Sequence, residues 1–473
     1  MRGAVAAGHP LTAEAGARVL REGGNAVDAC VGAALVSWVC ESPLTGPGGG
    51  GFMLVHDAAA ETTRLLDFFV AVPRARTGEA ELLQLEVDFD GDTRQTFHTG
   101  AAAVGVPGTA LGLEEAHRRF GSVPWPELVA PAARLARDGF ALSPAQGYLH
   151  RILDGLLRHS PEGDAMYGPG RPVAAGERFS EPALADTLER LAAEGTDVLY
   201  RGELAERLVA HVQAGGGCLA REDLAAYRVI RRRPLAVPFA GHELRTNPPP
   251  SSGGALVGLG LRALGSEPPT PLRIAASMEE QAAARGPALL RNARRLLSGT
   301  THISVVDGRG DAASLSCSLG SGSGVVVPGT GIHLNNMLGE ADLTERARAG
   351  ERLTSMMAPS LVLRDGRPRL VVGSAGSARL RGAILQVVAN VTGAGMGVAE
   401  AVDAPRLHVE GGVAHCEDSA AADALEAAGY PVVRFRRRNL FFGGVSAVEV
   451  RADGGLAAAG DPRRGGAAIV VAT

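Results

Sequence analysis

Apolar positions recur at helical spacing over residues 11–22, and Gly23-Gly24 ends the run. Thr12 is the expected N-cap of this helix. Asn25 is expected to cap a second helix running through Val39, whose near-uniform apolarity predicts burial on most sides. After the glycine-rich GPGGGG (46–51), residues 52–56 and 64–69 read as neighbouring strands. Residues 110–240 are mainly helical in pattern, broken at Pro124-Trp125-Pro126 and at 215–217. TNPPPSSGG (246–254) is neither helix nor central strand, because three consecutive prolines remove ladder donors and fix φ. A helical segment spans 275–297.

Beyond Thr300 the period changes to two. Residues 300–306 and 312–319 alternate and are joined by DGRG (307–310), a turn sequence. Further strands are expected at 325–327, 360–363, 370–372, 447–451 and 467–471. Helices are expected at 379–389 and 420–428, the latter capped by Ser419. Strands bracketed by helices in both halves predict an α/β protein, two packed sheets between helical layers.

Composition narrows the chemistry. The chain has 473 residues, 45% of them hydrophobic, and 64 glycines, as expected of a packed protein with many tight turns. Its 47 basic residues against 51 acidic ones leave a net charge of −4, with no basic run of the kind that binds nucleic acid. All the basic residues are arginines. Without lysine there is no Schiff-base or pyridoxal-phosphate lysine and no nucleotide-binding Walker lysine. The five cysteines are scattered, and neither C-x-x-C nor H-E-x-x-H occurs, so no disulfide framework, metal site or cofactor is expected. The N-terminus lacks a signal-peptide pattern, and the longest apolar run, 29–40, is too short to span a membrane. A cytoplasmic location is the resulting expectation.

Three candidate sites compete. Residues 46–51 match G-x-G-x-x-G, but they follow a helix and precede a strand, the reverse of a dinucleotide loop. Close backbone packing is the simpler reading. Ser321, Ser323, Ser374 and Ser377 lie in glycine-rich turns, yet no G-x-S-x-G elbow passes through any of them. Such turns are better suited to offering backbone N–H groups to an oxyanion. Thr300 is the sharp case, with His302 on the same strand face as a candidate base. A threonine hydroxyl is a poor nucleophile until the Gly299–Thr300 bond is broken. A free α-amine on Thr300, with a pKa of about 8, would then serve as base for its own hydroxyl.

The chain resembles the γ-glutamyltranspeptidases, N-terminal-nucleophile hydrolases that cleave themselves into two subunits. The resemblance runs nearly end to end: REGGNAVDA (21–29), GGGGFMLV (48–55), GVPGT (105–109), LARDGF (135–140), REDLAAY (221–227), NPPPSSGG (247–254), TTHISVVD (300–307), LNN (334–336), APRLH (404–408) and GDPR (460–463). It implies a four-layer α-β-β-α sandwich built from a large-subunit portion, 1–299, and a small-subunit portion, 300–473. These would form a heterodimer of the chain's own two fragments. Thr300 is then the nucleophile, and Gly299–Thr300 the cleavage site. Ser318 stands where the family has a threonine touching the nucleophile, and Gly376 and Ser377 where its glycine pair forms the oxyanion hole. Thr354 and Ser355 replace the paired serines that hold the substrate carboxylate. Glu340 falls on the residue that pairs with the substrate ammonium, and Asn336, in the family's LNN segment, is assigned to substrate binding with it.

Three departures affect the substrate pocket. Phe69 replaces the arginine that clamps the substrate α-carboxylate, Gly320 replaces an asparagine, and Met337 replaces a glutamine. The resemblance therefore implies a glutathione-hydrolase-like γ-glutamyltransferase, passing an acyl group from a small amide or peptide to water or an amine. The departures keep open an acylase of the cephalosporin-acylase kind, acting on a different acyl group. A third reading is an uncleaved binding protein on the same fold.

Overall fold

The computed structural model describes residues 2–75, 82–88, 94–284, 299–344 and 348–472. The alternating segment after Thr300 forms an antiparallel hairpin of Gly299–Asp307 and Ala312–Gly320, with Thr300 opposite Ser318. Every residue of both strands is buried. The alternation therefore separates two kinds of interior, not core from solvent. Ile303, Val305, Ala313, Leu315 and Cys317 pack into an apolar core shared with helices. His302, Ser304, Ser314 and Ser316 point the other way, toward a second sheet.

The hairpin is the centre of a seven-stranded sheet. Its order is Ala467–Val471, Gly3–Ala7, Gly299–Asp307, Ala312–Gly320, Gly50–Asp57, Thr62–Phe68 and Ile230–Arg232. A six-stranded sheet packs on it, ordered Leu456–Gly460, Gly444–Val450, Arg367–Ala375, Ser360–Arg364, His242–Thr246 and Leu235–Phe239. Helices Pro10–Arg21, Ala26–Cys40 and Trp125–Asp138 lie on the outer side of the first sheet. Gly253–Leu264, Pro271–Ala284 and Leu380–Thr392 cover the second. The result is helix, sheet, sheet, helix, as expected. Both sheets take strands from before and after Thr300, so neither portion of the chain holds a complete layer by itself.

Local chemistry accounts for most boundaries. Asn25 caps Ala26–Cys40 with a full capping box, its side chain accepting from Val27 and Asp28 N–H while Asp28 accepts from Asn25 N–H. Two expected caps differ. His9, not Thr12, caps Pro10–Arg21, accepting from Leu11 N–H, because Pro10 already occupies the first helical position. Asp418, not Ser419, caps Ser419–Ala427. The segment expected at 275–297 is the helix Pro271–Ala284 as far as it is described; 285–297 lie outside the described residues. The glycine-rich loop serves close packing. A Cβ on Gly49 would lie 2.4 Å from Ser318 O and one on Gly51 2.5 Å from Ser316 O. No described helix is long and apolar enough to cross a membrane.

Candidate active site

Thr300 enters the hairpin at a register irregularity between Gly299 and Thr300, and its side chain is 2% exposed. Its Oγ1 donates to Ser318 Oγ at 3.3 Å. Ser318 Oγ in turn donates to the Gly299 carbonyl and accepts from Gly320 N–H at 2.8 Å. One hydroxyl thus connects the threonine to the carbonyl of the peptide bond that precedes it. Thr301, on the opposite face, donates to Glu41 Oε2 at 2.7 Å, and Thr12 donates to Glu41 Oε1 at 2.7 Å. Burial pushes the Glu41 carboxyl above its ordinary range, and the two threonine hydroxyls only partly offset this. Thr12, inside the helix Pro10–Arg21, thus serves Glu41 and not the helix end.

His302 is a structural residue. Its Nδ1 faces Ser316 Oγ at 2.8 Å and its Nε2 faces Ser304 Oγ at 3.0 Å. Ser304 extends the chain to Ser446 O on the second sheet. Burial lowers the imidazole pKa to about 3, so the ring is neutral. The folded state refuses a proton that the unfolded chain accepts. The stability contributed by this neutral ring is complete above pH 6.5 and is lost as pH falls toward 3. Gly373 makes room for the ring, since a Cβ there would lie 2.3 Å from His302 Cε1.

A small cavity of about 20 Å³ gathers most of the residues singled out in the sequence. Its polar lining is Thr300, Ser318, Glu340, Ser355 and Ser377; Phe69 and Met337 lead its apolar lining, with Leu343, Met356, Met357 and Leu380. Glu340 is the one charged residue of that lining. Phe69 is 1% exposed and stacks on Phe52 with ring centroids 5.3 Å apart. Gly376 (φ 128°) and Ser377 (φ 56°) form a left-handed turn between the strand Arg367–Ala375 and the helix Leu380–Thr392. That turn brings Ser377 beside Thr300 in the cavity wall.

Two assigned residues sit differently. Thr354 lines a neighbouring cavity of about 790 Å³ and donates to Pro250 O at 2.9 Å. Asn336 lies behind the small cavity, accepting from Ser321 N–H at 3.0 Å and donating to Ser321 Oγ at 2.6 Å. Gly320 (φ 76°) has no room for a side chain as this chain packs, since a Cβ would fall 2.0 Å from Asn336 Oδ1 and 3.0 Å from Glu340 Oε1. Among the described residues no arginine lines the small cavity to substitute for the one missing at 69. Arg232 Nε donates to Asp67 at 2.7 Å; Arg352 lies 3.9 Å over the Tyr227 ring and lines the larger cavity.

On its other side Thr300 borders a cavity of about 580 Å³ that contains Glu41, Asp461, Arg463 and Arg464. Glu41 and Arg464 carry no local sequence signal; only the packing of distant segments brings them to Thr300. Among the described residues no cluster of three or more His, Cys, Asp or Glu could hold a metal ion.

The chain is similar to known proteins over most of its length. The Acylase ACY 1 proenzyme of Pseudomonas sp. strain SE83 is 32% identical over 529 residues, covering 99% of this chain and 94% of its own. The glutathione hydrolase proenzyme of Pseudomonas aeruginosa is 34% identical over 469 residues, covering 86% of this chain and 82% of its own. The crystal structure of cephalosporin acylase from Bacillus halodurans superposes with a TM-score of 0.87 at 25% identity, covering 99% and 95% of the two chains. The fold is the four-layer sandwich of the N-terminal-nucleophile hydrolases. The gamma-glutamyltranspeptidase family matches residues 12–282 and 272–471, and the chain belongs to that family of amide hydrolases and acyltransferases.

Proposed function

We propose that this chain is a precursor that activates itself by cutting Gly299–Thr300, then hydrolyses or transfers an acyl group through an ester on Thr300. The observation that carries the reading is the Thr300–Ser318–Gly299 chain of hydroxyls and carbonyl. In the first step Thr300 Oγ1 attacks the Gly299 carbonyl carbon, and the developing oxyanion receives the Ser318 hydrogen bond. The Gly299–Thr300 C–N bond breaks, nitrogen takes a proton, and Gly299 is left as an ester on Oγ1. Water opens that ester, giving a Gly299 carboxylate and a free α-amine on Thr300. In turnover the amine takes the proton from Oγ1 as it attacks the donor amide, then returns it to the leaving amine. The Gly376 and Ser377 amides are the donors assigned to stabilise the oxyanion of the donor carbonyl. A cavity of about 20 Å³ holds about one water, so an acyl group enters only once the chain has opened at Thr300.

The pH profile follows. The amine is a base only when neutral, so kcat/KM should rise with pH through an apparent pKa of about 8. His302, held to about 3, contributes no limb in this range. An activity that is flat from pH 6 to pH 9 contradicts the assignment of the amine as base.

Phe69 and Met337 favour an acyl group with an apolar end over γ-glutamyl. A buried α-carboxylate without a cation is costly, and arginine is the usual partner because its fork binds both oxygens. Phenylacetyl-p-nitroanilide should therefore be a better donor than γ-glutamyl-p-nitroanilide. Phe69→Arg places a guanidinium in a cavity that already holds Glu340. It should shift the ratio of kcat/KM toward the γ-glutamyl donor by roughly one to two decades, the worth of one charge-assisted pair. If the wild type prefers the γ-glutamyl donor, or the ratio does not move in Phe69→Arg, this pocket assignment fails.

A further inference from the structure

Ser377 holds a conformation that its residue type does not favour. At φ 56° it is a non-glycine residue in the left-handed region, and such a residue persists only where its surroundings fix it. Gly376 before it, at φ 128°, lies where side chains are rarely found. Within the turn, Arg379 N–H donates to Gly376 O at 3.1 Å, and the helix Leu380–Thr392 follows at once. Further support comes from a distant segment.

That segment is the short helical turn Leu440–Phe442 with Gly443, set by Asn439, whose Oδ1 accepts from Phe441 N–H at 2.9 Å. It meets the Gly376–Ser377 turn at two points. A Cβ on Gly376 would stand 2.8 Å from Gly443 Cα, and one on Gly443 would stand 2.9 Å from Ala375 O. The Arg379 guanidinium carbon lies 4.4 Å from the centroid of the Phe441 ring. Phe441 is buried in an aromatic cluster, with Phe435 stacked at 5.0 Å, Phe442 edge-on at 5.1 Å and His415 at 4.9 Å. Arg379 is buried as well. Burial lowers its pKa, and the Glu410 charge opposes that shift. Burial would raise the Glu410 carboxyl in turn, but His408, Arg379 and Arg381 outweigh it and hold it at about 2. The guanidinium is thus a desolvated cation over a fixed ring, the setting in which a cation–π contact is strongest.

We propose that Phe441 and Arg379 form a latch that fixes the Gly376–Ser377 turn, and with it the two amides assigned to the oxyanion. Phe441 lines neither cavity beside Thr300, so it is a positioning residue that acts through Arg379. Gly443 completes the latch from the other end of the turn, where no side chain would fit. The inference rests on the reading of those amides as donors to the substrate carbonyl. Self-cleavage draws on the Ser318 hydroxyl instead. The latch therefore matters for turnover and not for the cut at Gly299.

The test compares full-length Phe441→Leu, which keeps an apolar side chain without a ring, with Phe441→Tyr, which keeps the ring. Three quantities are measured: turnover of phenylacetyl-p-nitroanilide, the rate of self-cleavage, and amide hydrogen exchange in the peptide 374–380. In Phe441→Leu, kcat should fall about tenfold with KM unchanged, a part of what losing an oxyanion donor costs. Exchange in the peptide should quicken, and self-cleavage should keep the wild-type rate. Phe441→Tyr should restore most of both kcat and protection. Phe441→Met, ringless and close in volume, carries the same comparison should the leucine variant not fold. Unchanged exchange in the ringless variant overturns the proposal. So does a matching loss in self-cleavage, which marks a general loss of structure, or a tyrosine variant no better than leucine. Quicker exchange with kcat unaltered would sustain the latch and refute the oxyanion reading of Gly376 and Ser377. Quicker exchange in a protein with no amidase activity in any form would sustain the latch and refute the acyl-transfer reading instead.

Discussion

Thr300→Ala is expected to remain a single 48.5 kDa chain and to lose at least about 10⁴-fold in amidase activity. Both losses come from one atom. Oγ1 is joined to the Gly299 carbonyl through Ser318 and belongs to the residue that follows that carbonyl. Without the cut there is no α-amine, and without the hydroxyl there is no acyl ester. The variant should still fold, because Thr300 contributes only one hydrogen bond of 3.3 Å to a sheet held by its backbone ladder. Thr300→Ser keeps the hydroxyl and should cleave. Denaturing electrophoresis with a donor assay distinguishes the cases. An alanine variant that cleaves, or that retains more than a trace of activity, removes Thr300 from the mechanism.

Ser318→Ala should slow self-cleavage by about a hundredfold or more. The Ser318 hydroxyl donates to the Gly299 carbonyl oxygen, which would become negative in the proposed attack, and it accepts from the Thr300 hydroxyl. Gly320 N–H fixes its orientation at 2.8 Å, so the donor needs no reorganisation as charge develops. Loss of one such preorganised donor elsewhere costs a factor of about 10²–10³ in rate. Alanine removes the contact without adding bulk, whereas Ser318→Thr retains it and should process at a rate near wild type. The time course of fragment appearance after refolding measures the effect. Cleavage of Ser318→Ala at the wild-type rate would show that the hydrogen bond to Gly299 is incidental.

Much of the site was legible because it is local or motif-bound. The central hairpin follows from period-two alternation and a DGRG turn, and the resemblance supplied Thr300, Ser318, Glu340, Ser355 and Ser377, which do meet in one cavity wall. The strand Gly3–Ala7 was missed although it pairs with the strand that carries Thr300. Its sequence GAVAA is buried on both faces by small residues, so it carries no alternation to read. Leu456–Gly460, LAAAG, is half-buried throughout, and its run of small residues likewise carries no alternation. His302 looked like a base because it shares a face with Thr300; only the packed second sheet reveals that both its nitrogens are taken by serines. Thr354 neighbours Ser355 in sequence but turns into another cavity, as adjacent residues of extended chain do. Glu41 and Arg464 depend on segments hundreds of residues apart, and no spacing in the chain predicts their approach to Thr300.

The most direct test is N-terminal sequencing of the chains obtained when the purified wild-type protein is denatured. Two fragments of about 31 and 18 kDa are expected from length scaling of the 48.5 kDa chain. The smaller should begin Thr300-Thr301-His302-Ile303. A fully active protein that remains one chain, or a small fragment that begins at any other residue, contradicts the account.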